Sequence, residues 1–319
     1  MTQIAVVITL LITSAGLHSG PAAKPSSRPS LLPVSARVHA NALSVQQKSR
    51  TPALRFNNVR LKTGVRLRYA TQGKASGRPI IMLHGYPDSS FSYSRVLPLL
   101  SVNYRIYVLD QRGHGDSERP ASGYGIPDLA ADVLAFMDAK GLKQTIIVGH
   151  SMGSFVAQHV AAAAPERVTR LVLIGSATTL RNNVVVDLHQ AVSALRDPVP
   201  EKFVREFQQS TVFQPVPSKF MDRVVSESLK LPARVWQAVI NGFLAPEANA
   251  RLDKIKAPTL IVWGDKDAIF PRSEQDGLVS AIPTAVLKVY LETGHDPHWE
   301  RPEQFVKDLD GFLKQDKQR

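Results

Sequence analysis

The chain has 319 residues and no cysteine, which excludes disulfides, thiolate metal sites and a cysteine nucleophile, while 44% hydrophobic content suffices for a sizeable core. Its net charge of +12 is concentrated at one end: 12 of the 39 Lys and Arg residues lie in positions 1–87, which hold no Asp or Glu, leaving 27 bases against 27 acids elsewhere. A formally neutral body without a wide basic footprint excludes the usual pattern of a nucleic-acid binder.

Residues 4–12 are almost continuously apolar and run into Thr13-Ser14-Ala15-Gly16. The run is shorter than the ~20 residues a bilayer span takes and reads as a secretory signal, with the departure that Met1-Thr2-Gln3 brings no Lys or Arg. Residues 1–50 are therefore assigned to a signal peptide and a Pro-, Ser- and Ala-rich flexible leader. Export to a periplasm or medium is expected, with no stable membrane span after processing; organelle import is the alternative. Next, Val59-Arg60-Leu61-Lys62 and Val65-Arg66-Leu67-Arg68-Tyr69 alternate about Thr63-Gly64, predicting a half-buried hairpin whose basic outer face protects a sheet edge.

Beyond the hairpin, short β-rich runs alternate with longer helical ones. Strands are predicted at 79–83, 104–109, 145–148, 171–174, 259–263 and 286–291, and helices at 92–100, 127–140, 152–164, 273–281 and 303–314. With the hairpin this makes an α/β chain: a mostly parallel sheet of about eight strands with helices on both faces. Between the strands at 171–174 and 259–263 no strand pattern occurs. Helical spacing at 184–195, 201–210, 218–229 and 233–244 predicts an α-helical cap over 177–250, inserted into a core made of 51–176 and 251–319. Its aromatic residues Phe203, Phe207, Phe213, Phe220, Trp236 and Phe243 are candidates for an apolar pocket or for core.

Gly149-His150-Ser151-Met152-Gly153 is a G-x-S-x-G pentapeptide between an apolar strand run and an alanine-rich helix. In that context a sharp strand-to-helix turn exposes the serine, so Ser151 is the candidate nucleophile. A serine needs a base, and the base a group that fixes its tautomer. His295 follows the last strand in Glu292-Thr293-Gly294-His295 and is favoured over His298; His150 and His159 flank the nucleophile in a turn and a helix. Asp267 in Gly264-Asp265-Lys266-Asp267 is favoured over Asp265 as the orienting acid. Backbone N–H groups of Tyr86 and Met152 are the expected oxyanion donors, and His84 is expected to hold its loop.

These residues carry a resemblance. Residues 54–314 resemble the α/β-hydrolase fold family, in particular members with a helical cap, through His84-Gly85, Asp110-Gln111-Arg112-Gly113-His114-Gly115-Asp116-Ser117, the elbow, Gly264 to Asp267, and Gly294-His295 with His298, Glu300 and Pro302. The resemblance implies Ser151, Asp267 and His295 as triad and Tyr86 and Met152 as oxyanion hole, with no cofactor and no metal. His84-Gly85-Tyr86-Pro87-Asp88-Ser89 looks like the loop of epoxide hydrolases and haloalkane dehalogenases, whose nucleophile is aspartate. A serine at 151 points instead to a small-molecule carboxylic ester or lactone substrate and an acyl-enzyme. Cofactor-free perhydrolases and serine carbon–carbon bond hydrolases share these motifs, and a ligand receptor on a hydrolase scaffold is the non-enzymatic alternative.

Overall fold

The computed structural model describes residues 54–315. The leader expected over 1–50 lies outside the described residues. Eight strands, β1 (Arg55–Arg60), β2 (Arg66–Gly73), β3 (Arg78–Leu83), β4 (Tyr104–Leu109), β5 (Thr145–His150), β6 (Val168–Ile174), β7 (Thr259–Gly264) and β8 (Ala285–Tyr290), form one sheet. Their order is β1-β2-β4-β3-β5-β6-β7-β8, antiparallel at β1/β2 and β2/β4 and parallel from there on.

The apolar strand runs have a direct physical reason, because both sheet faces are covered. Ile81, Leu83, Tyr107, Leu109, Ile147, Leu171, Leu173 and Ile261 point into one core, shared with α1 (Ile126–Ala139) and α2 (Met152–Ala163). Their neighbours Ile80, Met82, Ile106, Val108, Ile146, Val148, Val172, Leu260 and Val262 point into the other. There they meet Phe305, Leu309, Phe312 and Leu313. Successive side chains of a strand alternate faces, so a central strand buried on both sides must be apolar at every position.

Two local expectations need correction. Residues 92–100 are not an α-helix but bends with two 3-10 turns, Ser90–Tyr93 and Leu97–Leu99; Pro98 has no N–H to give and crowds the carbonyl four residues back. Strand β1 starts earlier than the alternation suggested and is mostly exposed on both faces, only Val59 being half-buried. It is an edge strand, and Arg68 lies over the exposed Phe56 ring at 4.0 Å.

Between β6 and β7 come α3 (Asn183–Ser193), α4 (Glu201–Thr211), α5 (Ser218–Ser228) and α6 (Ala233–Phe243). Asn182 caps α3 by accepting from Val185 N at 2.9 Å, and Pro200, Pro217 and Pro232 stand at the N-caps of the other three. After β7 follow α7 (Arg272–Ala281), the one-turn α8 (Pro297–Glu300) and α9 (Pro302–Lys314). No helix of the described residues is long and apolar enough to cross a membrane.

The sheet order decides where chemistry can sit. From β3 the chain crosses to β4 on one side and returns to β5 on the other, so the loops leaving β3 and β5 diverge at a switch point where ligands bind in such sheets. Leu83 at the end of β3 is in register with Gly149 of β5.

Candidate active site

At that switch point Ser151 joins β5 to α2 with φ 48° and ψ −121°, a conformation that non-glycine residues rarely hold. Its neighbours make the turn possible. A Cβ at Gly149 would run into the Gly153 carbonyl, and one at Gly153 would collide with Leu83 O and lie 2.6 Å from His84 O. The glycines thus let α2 start against the end of β3. Ser151 N donates to Ile174 O at 3.0 Å and Ser154 N to Ser151 O at 2.7 Å, which over-determines the strained residue.

Gly85 comes close across the loop: a Cβ there would lie 2.8 Å from His150 Nδ1 and 3.1 Å from Ser151 Cβ. Tyr86 is therefore the next residue along the rim, its ring edge-on to Trp236 at 5.1 Å and Phe243 at 5.4 Å of the inserted helices, and its hydroxyl donating to Trp236 O at 3.1 Å. Met152 is the first residue of α2 and carries one of the four N–H groups that a helix leaves without an intrahelical acceptor. His84 holds the loop: its Nε2 accepts from Gln111 N at 3.0 Å, which fixes the proton on Nδ1, 2.7 Å from Gly85 O. Burial lowers its pKa to about 4, so it stays neutral.

His295 comes to the same end on the loop after β8, with Nδ1 2.9 Å from Asp267 Oδ2. The Asp267 side chain is fully buried and accepts Ile269 N at 2.8 Å and Phe270 N at 3.1 Å on Oδ1, so its carboxylate is aimed by the backbone of its own loop. Burial works against protonating His295, yet the carboxylates of Asp267, then Asp296 and Asp88, prevail and hold its pKa above the ordinary imidazole value. Its Nε2 is buried and makes no hydrogen bond among the described residues. Asp265, by contrast, turns toward Lys266 at 3.6 Å and Thr293 N at 3.4 Å. His159 binds Ala248 O at 3.2 Å from within α2.

Sequence reasoning missed a buried polar layer behind the histidine. His150 Nε2 lies 3.1 Å from Asp296 Oδ1 and 3.2 Å from His295 O, and its ring is 4.5 Å from that of His298. Burial drives both His150 and His298 well below the ordinary imidazole range and Asp296 well above the carboxylate range. Asp88 accepts from Gln208 Nε2 of α4 at 2.9 Å, and burial, offset by Gln208 and His295, raises its pKa to about 7. Among the described residues His150, Asp296 and His298 bring potential metal-ligand atoms within 4.8 Å of one another. No periodicity marks these positions; the one cue was an acid directly after the Tyr86-Pro87 turn and another directly after His295.

Asp110 is a structural member of its motif. Its carboxylate accepts Ser90 N at 2.7 Å and Asp116 N at 3.0 Å, which ties the loop after β3 to the loop after β4. Arg112 makes a two-pronged ion pair with Asp132 of α1 at 2.8 and 2.7 Å. Of the aromatic candidates, Phe203, Phe220, Trp236 and Phe243 are buried. Phe213 is not: 46% of it is exposed, so it is no part of the core.

The alpha/beta hydrolase fold, as a family profile, matches residues 78–302. The chain is 30% identical over 281 residues to a 2-hydroxy-6-oxononadienedioate/2-hydroxy-6-oxononatrienedioate hydrolase of Pseudomonas putida, covering 83% of this chain and 98% of that protein. Among solved structures it is similar to an esterase from Rhodococcus sp. ECU1013, with a TM-score of 0.72, 25% identity, and 82% and 98% of the two chains covered. A bromoperoxidase from Bacillus anthracis shares the fold at a TM-score of 0.73 and 23% identity over 81% of this chain and 100% of the other.

Proposed function

The chain belongs to the α/β-hydrolase fold family, and we propose that within it this hydrolase cleaves a carboxylic ester or lactone through an acyl-enzyme. The observation that carries the reading is the pairing of a serine held at positive φ on the elbow with a histidine whose far nitrogen is bound to a buried, backbone-aimed aspartate. His295 takes the Ser151 proton on Nε2 as the oxygen attacks the substrate carbonyl; Asp267 stabilises the imidazolium. The N–H groups of Tyr86 and Met152 receive the oxyanion, each worth ~3 kcal/mol. His295 then gives the proton to the leaving alkoxide; in deacylation it takes a proton from the water that attacks the acyl carbon and passes it to Ser151 Oγ as the acyl–oxygen bond breaks, releasing the acid and restoring the serine. Helices α3 to α6, within 177–250, act as the cap that shapes the substrate pocket and excludes water.

A second reading has a specific observation behind it. The Pseudomonas putida relative is named for hydrolysis of a 2-hydroxy-6-oxononadienedioate or 2-hydroxy-6-oxononatrienedioate, a carbon–carbon bond cleavage. A panel of p-nitrophenyl esters, lactones, 1,3-diketones and 2-hydroxy-6-oxo-dienedioates separates the two on the purified chain. Esters or lactones are expected to give the highest kcat/KM; a dienedioate or diketone preferred by more than about tenfold, some 1.4 kcal/mol of transition-state binding, overturns the ester assignment.

A further inference from the structure

The segment that ends α4 touches the base loop through backbone as well as through side chains: Val212 packs on the cluster of Phe220, Val224 and Trp299, and the Thr211 side chain hydrogen-bonds to Asp296. His295 N donates to Thr211 O at 2.8 Å. Gly294 has no room for a side chain: a Cβ would lie 2.6 Å from Phe213 N, 2.7 Å from Thr211 O and 2.9 Å from Glu300 Oε1. Between these two stretches stands the carboxylate of Glu300, at the end of α8. It accepts Phe213 N at 3.2 Å and Gln214 N at 2.7 Å on one side, and Gly294 N at 2.9 and 3.1 Å on the other. The Phe213 ring is 46% exposed, with Lys266 Nζ 5.9 Å from its centre, so the hydrogen bonds of this attachment come from its backbone. Three residues before Thr211, Gln208 fastens the same helix to Asp88 in the loop after β3. The inserted helices are thus bound to both loops that flank Ser151.

We propose that Glu300 is a positioning residue: by joining the backbone of 213–214 to that of Gly294, it makes the inserted helices set the placement of His295 against Asp267. The proposal rests on His295 being the base. A carboxylate is the one side chain that accepts on every lone pair, and its bonds to backbone N–H groups are of the stronger, charge-assisted kind. Glutamine at this position keeps the shape but presents an NH2 to N–H donors, so at least one side of the bridge opens. Misplacing a reacting group by about 1 Å costs on the order of a hundredfold in rate.

Glu300→Gln is read in two assays. Steady-state hydrolysis of a short p-nitrophenyl ester is expected to show kcat lowered by about 10- to 100-fold with KM within about twofold. The acid limb of kcat/KM should move to lower pH as the bond from His295 to Asp267 loosens. Hydrogen–deuterium exchange is expected to accelerate in 211–214 and 293–296 together. Glu300→Asp, with an acceptor one methylene short, should lose less in both and serves if the glutamine variant does not fold. Exchange that rises in 211–214 alone, or that rises in both segments with kcat and the pH profile unchanged, overturns the proposal. Exchange needs no turnover, so the bridge is judged even if Ser151→Ala proves the nucleophile assignment wrong.

Discussion

At the scale of single residues, the proposed base is surrounded by acids. His295 feels Asp267, Asp296 and Asp88, and the three differ in how they are kept. Asp267 has two backbone N–H groups and an imidazole; Asp88, with only Gln208 and a more distant His295, is held by burial near neutrality, at about 7. That difference predicts a stability profile. The unfolded chain gives up the Asp88 proton near pH 4 and the folded chain near pH 7, so between those values the folded state binds more protons and stability falls as pH rises. Above about pH 7 the Asp88 contribution is spent. Asp88→Asn should therefore show a flatter decline than the parent in urea midpoints measured from pH 4.5 to 8; parallel curves would show that Asp88 does not titrate in this window. The elbow at Ser151 and the pairing of Asp267 with His295 were legible because their loops follow predicted strands and carry short motifs. Asp88 and Asp296 were not, since what makes them unusual is enclosure by α4 and by His150, which come from distant parts of the chain.

At the scale of elements, the G-x-S-x-G spacing is a statement about how closely α2 approaches β3. Gly153→Ala places a methyl group against two backbone carbonyls, Leu83 O and His84 O, neither of which can swing aside. A destabilisation of about 1–3 kcal/mol is expected from such overpacking. Gly311→Ala is the contrast: nothing lies within 4 Å of its Cβ position in α9, and there alanine should stabilise by up to about 1 kcal/mol through helix propensity. Thermal or urea unfolding of the pair checks both signs. Helices α3 to α6 were readable from 3.6-residue spacing and from Pro200, Pro217 and Pro232 at their starts. The error at 92–100 came from weighing apolar spacing above Pro98. Spacing also misplaced Phe213, which follows the end of α4 and so escapes the periodicity of that helix.

For the whole molecule, a sheet of order β1-β2-β4-β3-β5-β6-β7-β8 brings three loops, distant in sequence, to one rim: the Tyr86 loop, the Ser151 elbow and the His295 loop with Asp267 beside it. The family follows from the profile match over 78–302 and the 30% identity to the Pseudomonas putida relative. The strand runs announced a parallel sheet, but the order of strands, and hence which loops meet, rests on pairings such as Leu83 with Gly149 that no local pattern encodes. The proposed mechanism requires that Ser151 Oγ be the atom that is acylated. Ser151→Ala, assayed beside the parent with a short p-nitrophenyl ester and a fluorophosphonate probe mapped by peptide mass, tests this most directly. The parent is expected to turn the ester over and to be labelled on Ser151 alone, while the variant, with unchanged Tm, is not labelled and loses at least about a thousandfold in kcat. Turnover kept within tenfold, a label on another residue, or a folded parent that neither labels nor hydrolyses would contradict it.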